Sequence, residues 1–100
     1  MFQSGDRDDV VERSLVAATV TATTTPTEAK VGATRLVARQ TLTIQNKGSQ
    51  AIYYGPSGST PTNGGIIVFK DQTVFLPYGD LPVFIYTASG TATVVIQEVG

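Results

Sequence analysis

Short runs in which apolar and polar residues alternate, separated by turns rich in glycine and proline, extend from residue 14 to the end of the chain. Threonine and valine dominate the first run, LVAATVTA at residues 15–22. Both residue types are β-branched, which suits a pleated surface and disfavours a helix. Several short strands with such turns are typical of a sandwich or barrel. We therefore predict an all-β fold, a single small β-sandwich or jelly-roll-like barrel over residues 14–100.

The period of two along each run predicts which side chains face the core. In the first run the even-numbered residues from Val16 to Ala22 form the more apolar face, and Pro26 ends the strand or places it at an edge. Across the domain, the residues expected to point mainly inward are Leu42, Ile44, Ile52, Val74, Ile85, Val94 and Ile96.

Two turns are predicted to close β-hairpins. The first joins residues 41–45 to residues 51–54 through NKGS at residues 46–49, where asparagine and glycine tolerate positive φ. The second joins residues 83–88 to residues 92–99 about Ser89 and Gly90. Residues 55–65, GPSGSTPTNGG, are predicted to form a loop whose length is near the upper end for a compact domain.

Composition limits the chemistry that we expect of this chain. One hundred residues suffice for one domain with a modest core, and a content of 41% hydrophobic and 15% charged residues indicates neither a disordered tail nor a membrane span. Cysteine and histidine are absent, so no thiolate or imidazole is available for nucleophilic catalysis or zinc binding. The net charge of −1 gives no reason to expect nucleic acid as a partner. We expect no enzymatic activity, cofactor, metal, membrane partner or secretory signal.

The remaining candidates for catalysis are hydroxyls and carboxylates in turns. Ser57, Ser59 and Thr60 lie in the loop at residues 55–65, where hydroxyls normally make local hydrogen bonds. Asp71 and Asp80 could form a carboxylate pair of the glycosidase type, but both stand in sequences that favour aspartate for its turn geometry. The structural interpretation is favoured for all of them.

Residues 1–13, MFQSGDRDDVVER, lack the alternating pattern and carry half of the acids of the chain. We interpret them as an extended N-terminal arm outside the core, which contacts a neighbouring chain. The residues expected to make that contact are the apolar Phe2, Val10 and Val11 and the acidic Asp6, Asp8, Asp9 and Glu12.

A basic stretch and the tyrosines supply further candidate contacts. Lysines and arginines between residues 30 and 47 follow one another with no acid between them, which indicates either a solvated face or a face for an acidic partner. From this stretch we select Arg35 and Arg39. Tyr53 and Tyr54 are neighbours on one strand and must face opposite sides, so one is core and one is available to a partner. Tyr53 and Tyr78 are the tyrosines selected as candidates, with a protein interface favoured over a stacked sugar.

Three short motifs resemble small β-rich virion proteins that tailed bacteriophages encode in their structural modules. RQTLTIQN at residues 39–46, followed by GS at 48–49 and AIYYG at 51–55, is similar to a strand, turn and strand of those proteins. FLPYG at residues 75–79 and ASGTATVV at residues 88–95 resemble a later turn and the last pair of strands. The similarity covers roughly residues 35–99 and leaves out the arm.

The resemblance implies a structural component of the virion, assembled in the host cytoplasm. Its form would be a capsid decoration (cement) protein that binds over the joints between major capsid protein subunits and stabilises the head. The implied partners are the major capsid protein or another virion protein, and further copies of the chain in a homo-oligomer, with a trimer favoured. A tail, collar or baseplate component would share the fold. A host-glycan-binding module is the third alternative and would need an exposed aromatic face.

Overall fold

The computed structural model describes residues 14–100, which form eight β-strands and no helix. In chain order the strands are β1 (Leu15–Ala22), β2 (Thr27–Glu28), β3 (Thr41–Asn46), β4 (Ile52–Gly55), β5 (Ile66–Val68), β6 (Thr73–Leu76), β7 (Phe84–Thr87) and β8 (Ala92–Val99). Within this range there is accordingly no helix of a length and hydropathy suited to crossing a bilayer. The predicted arm at residues 1–13 lies outside the described residues.

The strands form two four-stranded antiparallel sheets. Sheet I has the order β1-β8-β3-β6 and sheet II the order β2-β7-β4-β5. Strands at equivalent positions of the two sheets are neighbours in sequence, and only the β4–β5 connection stays within one sheet. This eight-stranded order is that of a jelly roll, which confirms the predicted all-β sandwich. It leaves two open sides, one formed by β1 and β2 and the other by β5 and β6.

The core lies between the sheets and follows the predicted alternation. Six of the seven residues predicted to point inward are fully buried, and Val74 packs against the same cluster while remaining partly exposed. The even-numbered face of β1 is the inward one, as predicted, and it ends at the buried Ala22. β1 stops before Pro26, and β2 begins directly after it.

The prediction of a hairpin at residues 46–49 is wrong. β3 pairs with β6 and β8, whereas β4 pairs with β5 and β7, so this turn carries the chain from sheet I to sheet II. The buried Asn46 organises the corner, because its amide donates to the carbonyls of Gln50 (2.8 Å) and Val68 (3.0 Å). Its side-chain oxygen accepts from the Gly48 amide (2.9 Å). Gly48 packs so closely on Ala92 that a Cβ there would lie 2.8 Å from the Ala92 Cα.

The second predicted hairpin, about Ser89 and Gly90, is also a corner between sheets. β7 belongs to sheet II and β8 to sheet I, and neither pairs with the other. Gly90 has φ of 69°, and its carbonyl accepts a hydrogen bond from the Thr87 hydroxyl (2.7 Å). Both turns have the residues that a hairpin needs, but the strands that they join lie on opposite layers of the sandwich.

Candidate interaction surface

Arg39, predicted to face a partner, lies in the interior, and this prediction is wrong. Only 3% of the residue is exposed, and a guanidinium nitrogen lies 2.8 Å from a Glu98 carboxylate oxygen. The same guanidinium donates to the carbonyls of Gly79 (2.9 Å) and Leu81 (2.6 Å), and more weakly to that of Ala29 (3.4 Å). A buried cation is tolerated only with such partners. Arg39 is therefore a structural residue that holds the β6–β7 connection against β8.

Glu98 completes this buried pair and was not identified from sequence as important. Its two carboxylate oxygens accept hydrogen bonds from the backbone amides of Val31 (3.0 Å) and Leu36 (3.3 Å). The pair consequently fixes the long β2–β3 connection as well. A signal was present in the sequence, because Glu98 shares the inward face of β8 with Val94 and Ile96. An acid at a core-facing position indicates a buried partner of opposite charge.

Two other members of the basic stretch, Lys30 and Arg35, share one acidic partner. Glu28 lies 2.6 Å from the Arg35 guanidinium and 3.7 Å from the Lys30 ammonium. Arg35 remains partly exposed at the surface, so its selection as a partner contact stays a prediction. Glu28 neutralises one of these two positive charges, which weakens the reason for expecting an acidic partner there.

Large apolar side chains are exposed mainly on one side of the molecule. Eight large hydrophobic residues are exposed in residues 14–100, and six of them fall between residues 66 and 81, on or next to β5 and β6. We call this set the β5–β6 apolar band, and its members are Ile66, Ile67, Phe69, Phe75, Tyr78 and Leu81. Ile67 lies opposite Tyr53 on the outer face of sheet II, and Phe75 lies opposite Thr43 on the outer face of sheet I, so the band wraps around the open edge formed by β5 and β6. Exposed large apolar side chains gathered in one region mark an interaction site more often than isolated ones do.

A pocket of about 210 Å³ opens within this band. Its walls come from the end of the β4–β5 hairpin and from the β6–β7 connection, with Tyr54 and Val83 at its base and Ile66, Tyr78 and Leu81 around it. Arg39 anchors the carbonyls of Gly79 and Leu81, so the buried ion pair sets the position of this rim. The lining is mostly apolar, which suits an inserted hydrophobic or aromatic group.

The two adjacent tyrosines of β4 face opposite sides, as predicted. Tyr54 is buried on the core face, and Tyr53 is half-buried on the outer face of sheet II. Burial raises the pKa of the Tyr54 hydroxyl above its ordinary value of 10.0, and the charge and hydrogen bond of the neighbouring Tyr78 raise it further. Two tyrosine hydroxyls therefore meet at the pocket, and Tyr78 is the exposed one.

An aromatic pair covers the outer face of sheet II beside the band. The rings of Tyr53 and Tyr86 are stacked, with centroids 5.8 Å apart and planes at 15°. The Tyr86 hydroxyl lies 3.0 Å from the Ser59 hydroxyl, which fastens the loop at residues 55–65 to the sheet. Gly65 is needed there, because a Cβ at that position would collide with the Tyr86 hydroxyl. Ser59 thus has a structural role, but its hydroxyl contacts a tyrosine 27 positions away in the chain instead of a group of its own turn.

The carboxylates considered for catalysis lie in turns. Asp71 has φ of 65°, and its amide donates to the Asn46 carbonyl (2.7 Å), which is the turn geometry that aspartate accommodates. Asp80 is exposed in the turn that follows Tyr78. No group of three acidic residues, histidines or cysteines suited to a metal occurs within residues 14–100.

Comparisons with known proteins give no family assignment. No protein-family model matches the chain, and no curated protein does. A chain from the solved structure described as "Bacillus endospore appendages form a novel family of disulfide-linked pili" is similar with a TM-score of 0.49 and 15% identity. That similarity covers 88% of this chain and 85% of the pilus chain.

Proposed function

We propose that the chain is a non-enzymatic structural protein of a tailed-phage virion, a capsid decoration protein that binds over joints between major capsid protein subunits. The observation that carries the proposal is the β5–β6 apolar band, which gathers most of the exposed large apolar side chains of residues 14–100 near one open edge of the domain. The motifs at residues 39–55, 75–79 and 88–95 support the virion assignment by resemblance. A domain of this size gains stability from neighbours by mass action, which suits a cement role.

The direct test is a reconstruction of virions of the phage that encodes the chain. We expect density for an eight-stranded domain at symmetry-related positions on the head, with the β5–β6 apolar band against the capsid surface. Density in the tail, collar or baseplate would replace decoration by the alternative virion role. Absence of the chain from purified virions, measured by mass spectrometry, would overturn the proposal.

A pair of exposed aliphatic residues tests which region binds. Leu81 is 61% exposed in the band, and Val37 is 86% exposed in the β2–β3 connection, outside the band. We expect Leu81→Ser to lose retention on particles and Val37→Ser to keep it, because only the first removes apolar area from the proposed contact. Equal retention of both variants on particles would show that the β5–β6 apolar band is not part of the interface.

The arm is tested separately by deletion of residues 2–12. We expect the truncated domain to remain folded and to leave particles at lower salt or lower temperature than the full chain. The acids Asp6, Asp8, Asp9 and Glu12 would meet basic groups on the partner, and salt screens such rim charges. Unchanged retention would exclude a role of the arm in binding.

The pocket favours a host-glycan-binding module as a second candidate function. Tyr78 is exposed at its rim, and a sugar ring stacks on an aromatic face while its hydroxyls bond to polar groups. Glycan-array binding that is lost in Tyr78→Ala would support this candidate. Binding to particles together with no signal on the glycan array would exclude the glycan-binding candidate and support the decoration role.

A further inference from the structure

Strand β1 is an outer edge of sheet I, and only one side of its backbone is paired within residues 14–100. Ser14 and Gly100 exchange two backbone hydrogen bonds (2.9 and 3.4 Å), so they form a hydrogen-bonded pair at the end of the β1–β8 ladder. Hydrogen-bonded and non-hydrogen-bonded pairs alternate along an antiparallel ladder. Even-numbered residues of β1 therefore bond to β8, and odd-numbered residues direct both backbone groups away from the sheet. The outward groups belong to Leu15, Ala17, Thr19 and Thr21.

This edge lacks the features that normally prevent strands from pairing. β1 contains no charged residue and no proline over its eight residues, LVAATVTA. Native edge strands are usually shortened, charged or interrupted by proline, because an open edge is a template for another chain. The other edges described by the structure are short, with two residues in β2, three in β5 and four in β6. β1 is thus the long unprotected edge of residues 14–100.

The inward side of β1 is also incompletely covered. Val16, Ala18 and Val20 point toward the core but remain half-buried. The reason lies in the facing sheet, where β2 has only two residues and leaves most of β1 without a strand opposite. A further strand beside β1 would bury these side chains while completing its hydrogen bonds.

We propose that β1 pairs antiparallel with β1 of a second copy about a two-fold axis at Ala18. In this register Leu15 lies opposite Thr21 of the second copy and Ala17 lies opposite Thr19. All of the outward backbone groups of both strands are then used. The two four-stranded sheets I become one continuous sheet, and the small Ala18 side chains meet at the axis, where the strands approach most closely.

The chemistry of the edge favours a second copy over other occupants. The edge is uncharged, so it offers nothing to a charged segment, and residues 1–13 contain six charged side chains. Strand β6 of another copy would match poorly, because only Thr73 and Phe75 direct backbone groups outward from its four residues. β1 matches itself in length, neutrality and hydrogen-bonding pattern. The contact consumes both β1 edges and therefore closes at two copies.

This inference deepens the proposed structural role by naming a partner for the β1 side, and it leaves the β5–β6 apolar band free for the particle. The resemblance favours a trimer, whereas this contact favours a dimer. The two proposals fail separately, since the dimer is measured on the purified chain and decoration is measured on particles.

Sedimentation of the full chain tests the contact with two matched variants. Thr19 in β1 and Thr73 in β6 lie at the two ends of one row of paired residues across sheet I, which also contains Val95 and Gln45. The backbone N–H of each threonine points outward from its own edge of the sheet. Proline at such a position removes only the outward donor. We expect a dimeric wild type, a dimeric Thr73→Pro, and a Thr19→Pro whose dissociation constant is raised at least tenfold, as a loss of ~1.4 kcal/mol implies.

Cysteine cross-linking tests the register and does not depend on the fold of a proline variant. The chain has no cysteine, so a single substitution reports a single contact. We expect oxidation of Ala18→Cys to give a covalent dimer, because the two side chains meet at the axis within disulfide distance. Val20→Cys is the control on the same face, since its two copies would be roughly 14 Å apart.

Three results would overturn the β1–β1 contact, and a fourth would overturn its register. The wild type could sediment as one copy at all concentrations, or Thr73→Pro could dissociate a dimer that Thr19→Pro leaves intact. Deletion of residues 2–12 could also abolish the dimer, which would assign the contact to the arm. Cross-linking of Val20→Cys in preference to Ala18→Cys would exclude the register.

Discussion

The two open sides of the sandwich present different chemistry to a neighbour. The β1 side offers backbone groups along an eight-residue neutral strand, with small and β-branched side chains. The β5–β6 side has strands of three and four residues, and it exposes six large apolar side chains, three of which line a pocket. Backbone pairing requires a partner in extended conformation and in register, whereas an apolar pocket requires a complementary shape. The same small domain therefore has two sides suited to two different kinds of contact.

One buried ion pair connects these two sides. Arg39 holds the carbonyls of Gly79 and Leu81 beside the pocket, and Glu98 holds the amides of Val31 and Leu36 near β1. The side chains are almost completely removed from solvent. Loss of either partner leaves the other charge buried without compensation.

The largest effect is expected from Arg39→Met. It should lower the free energy of unfolding by ~3–5 kcal/mol, because Glu98 would remain buried without its cation. Urea unfolding followed by circular dichroism measures this cost. The control is Arg39→Met combined with Glu98→Leu, which should recover part of the loss, since apolar pairs often replace buried ion pairs at little cost. A double variant less stable than either single variant would show that the backbone hydrogen bonds matter more than the charge pair.

Truncation of a core side chain is expected to cost less at the lower end of its range, and the cost should be similar in the two sheets. Ile44 in sheet I and Ile85 in sheet II are both fully buried. Replacement of either by alanine should cost ~2–5 kcal/mol through lost burial and the cavity that remains. Thermal unfolding of the two variants measures the loss. A variant with an unchanged melting temperature would contradict the packing described for its sheet.

The smallest effect is expected at alkaline pH and involves only the β5–β6 side. The pKa of Tyr54 is raised in the folded state above the ordinary value of 10.0, so the unfolded chain loses this proton first. The stability contribution of the neutral hydroxyl is complete below pH 10.0 and is lost as pH rises through the folded-state pKa. In the Tyr54→Phe variant, the free energy of unfolding should fall less steeply with pH in this alkaline range. Identical slopes for variant and wild type would show that Tyr54 does not titrate in this window.

Inward and outward positions were predictable because side-chain alternation is a local property of a strand. Ile44 and Ile96 were correctly placed inward from a period of two, and the same count separated Tyr53 from Tyr54. Part of the candidate site was also named from the sequence, since Tyr78 was selected among the tyrosines as an interface candidate and lies in the apolar band. Glu98 was on a core-facing position of β8 and could have been recognised by that count alone.

The sequence by itself determined that this chain forms β-strands and which face of each strand is apolar, because both follow from residues adjacent in the chain. Only the tertiary structure decided which strands pair. The turns at Asn46 and Gly90 have hairpin chemistry, yet each carries the chain across to the opposite sheet. Burial of Arg39 was decided in the same way, because its partners Gly79, Leu81 and Glu98 are 40 or more positions away in the chain. Pairings over such separations depend on how the whole sandwich packs, and no local pattern encodes them.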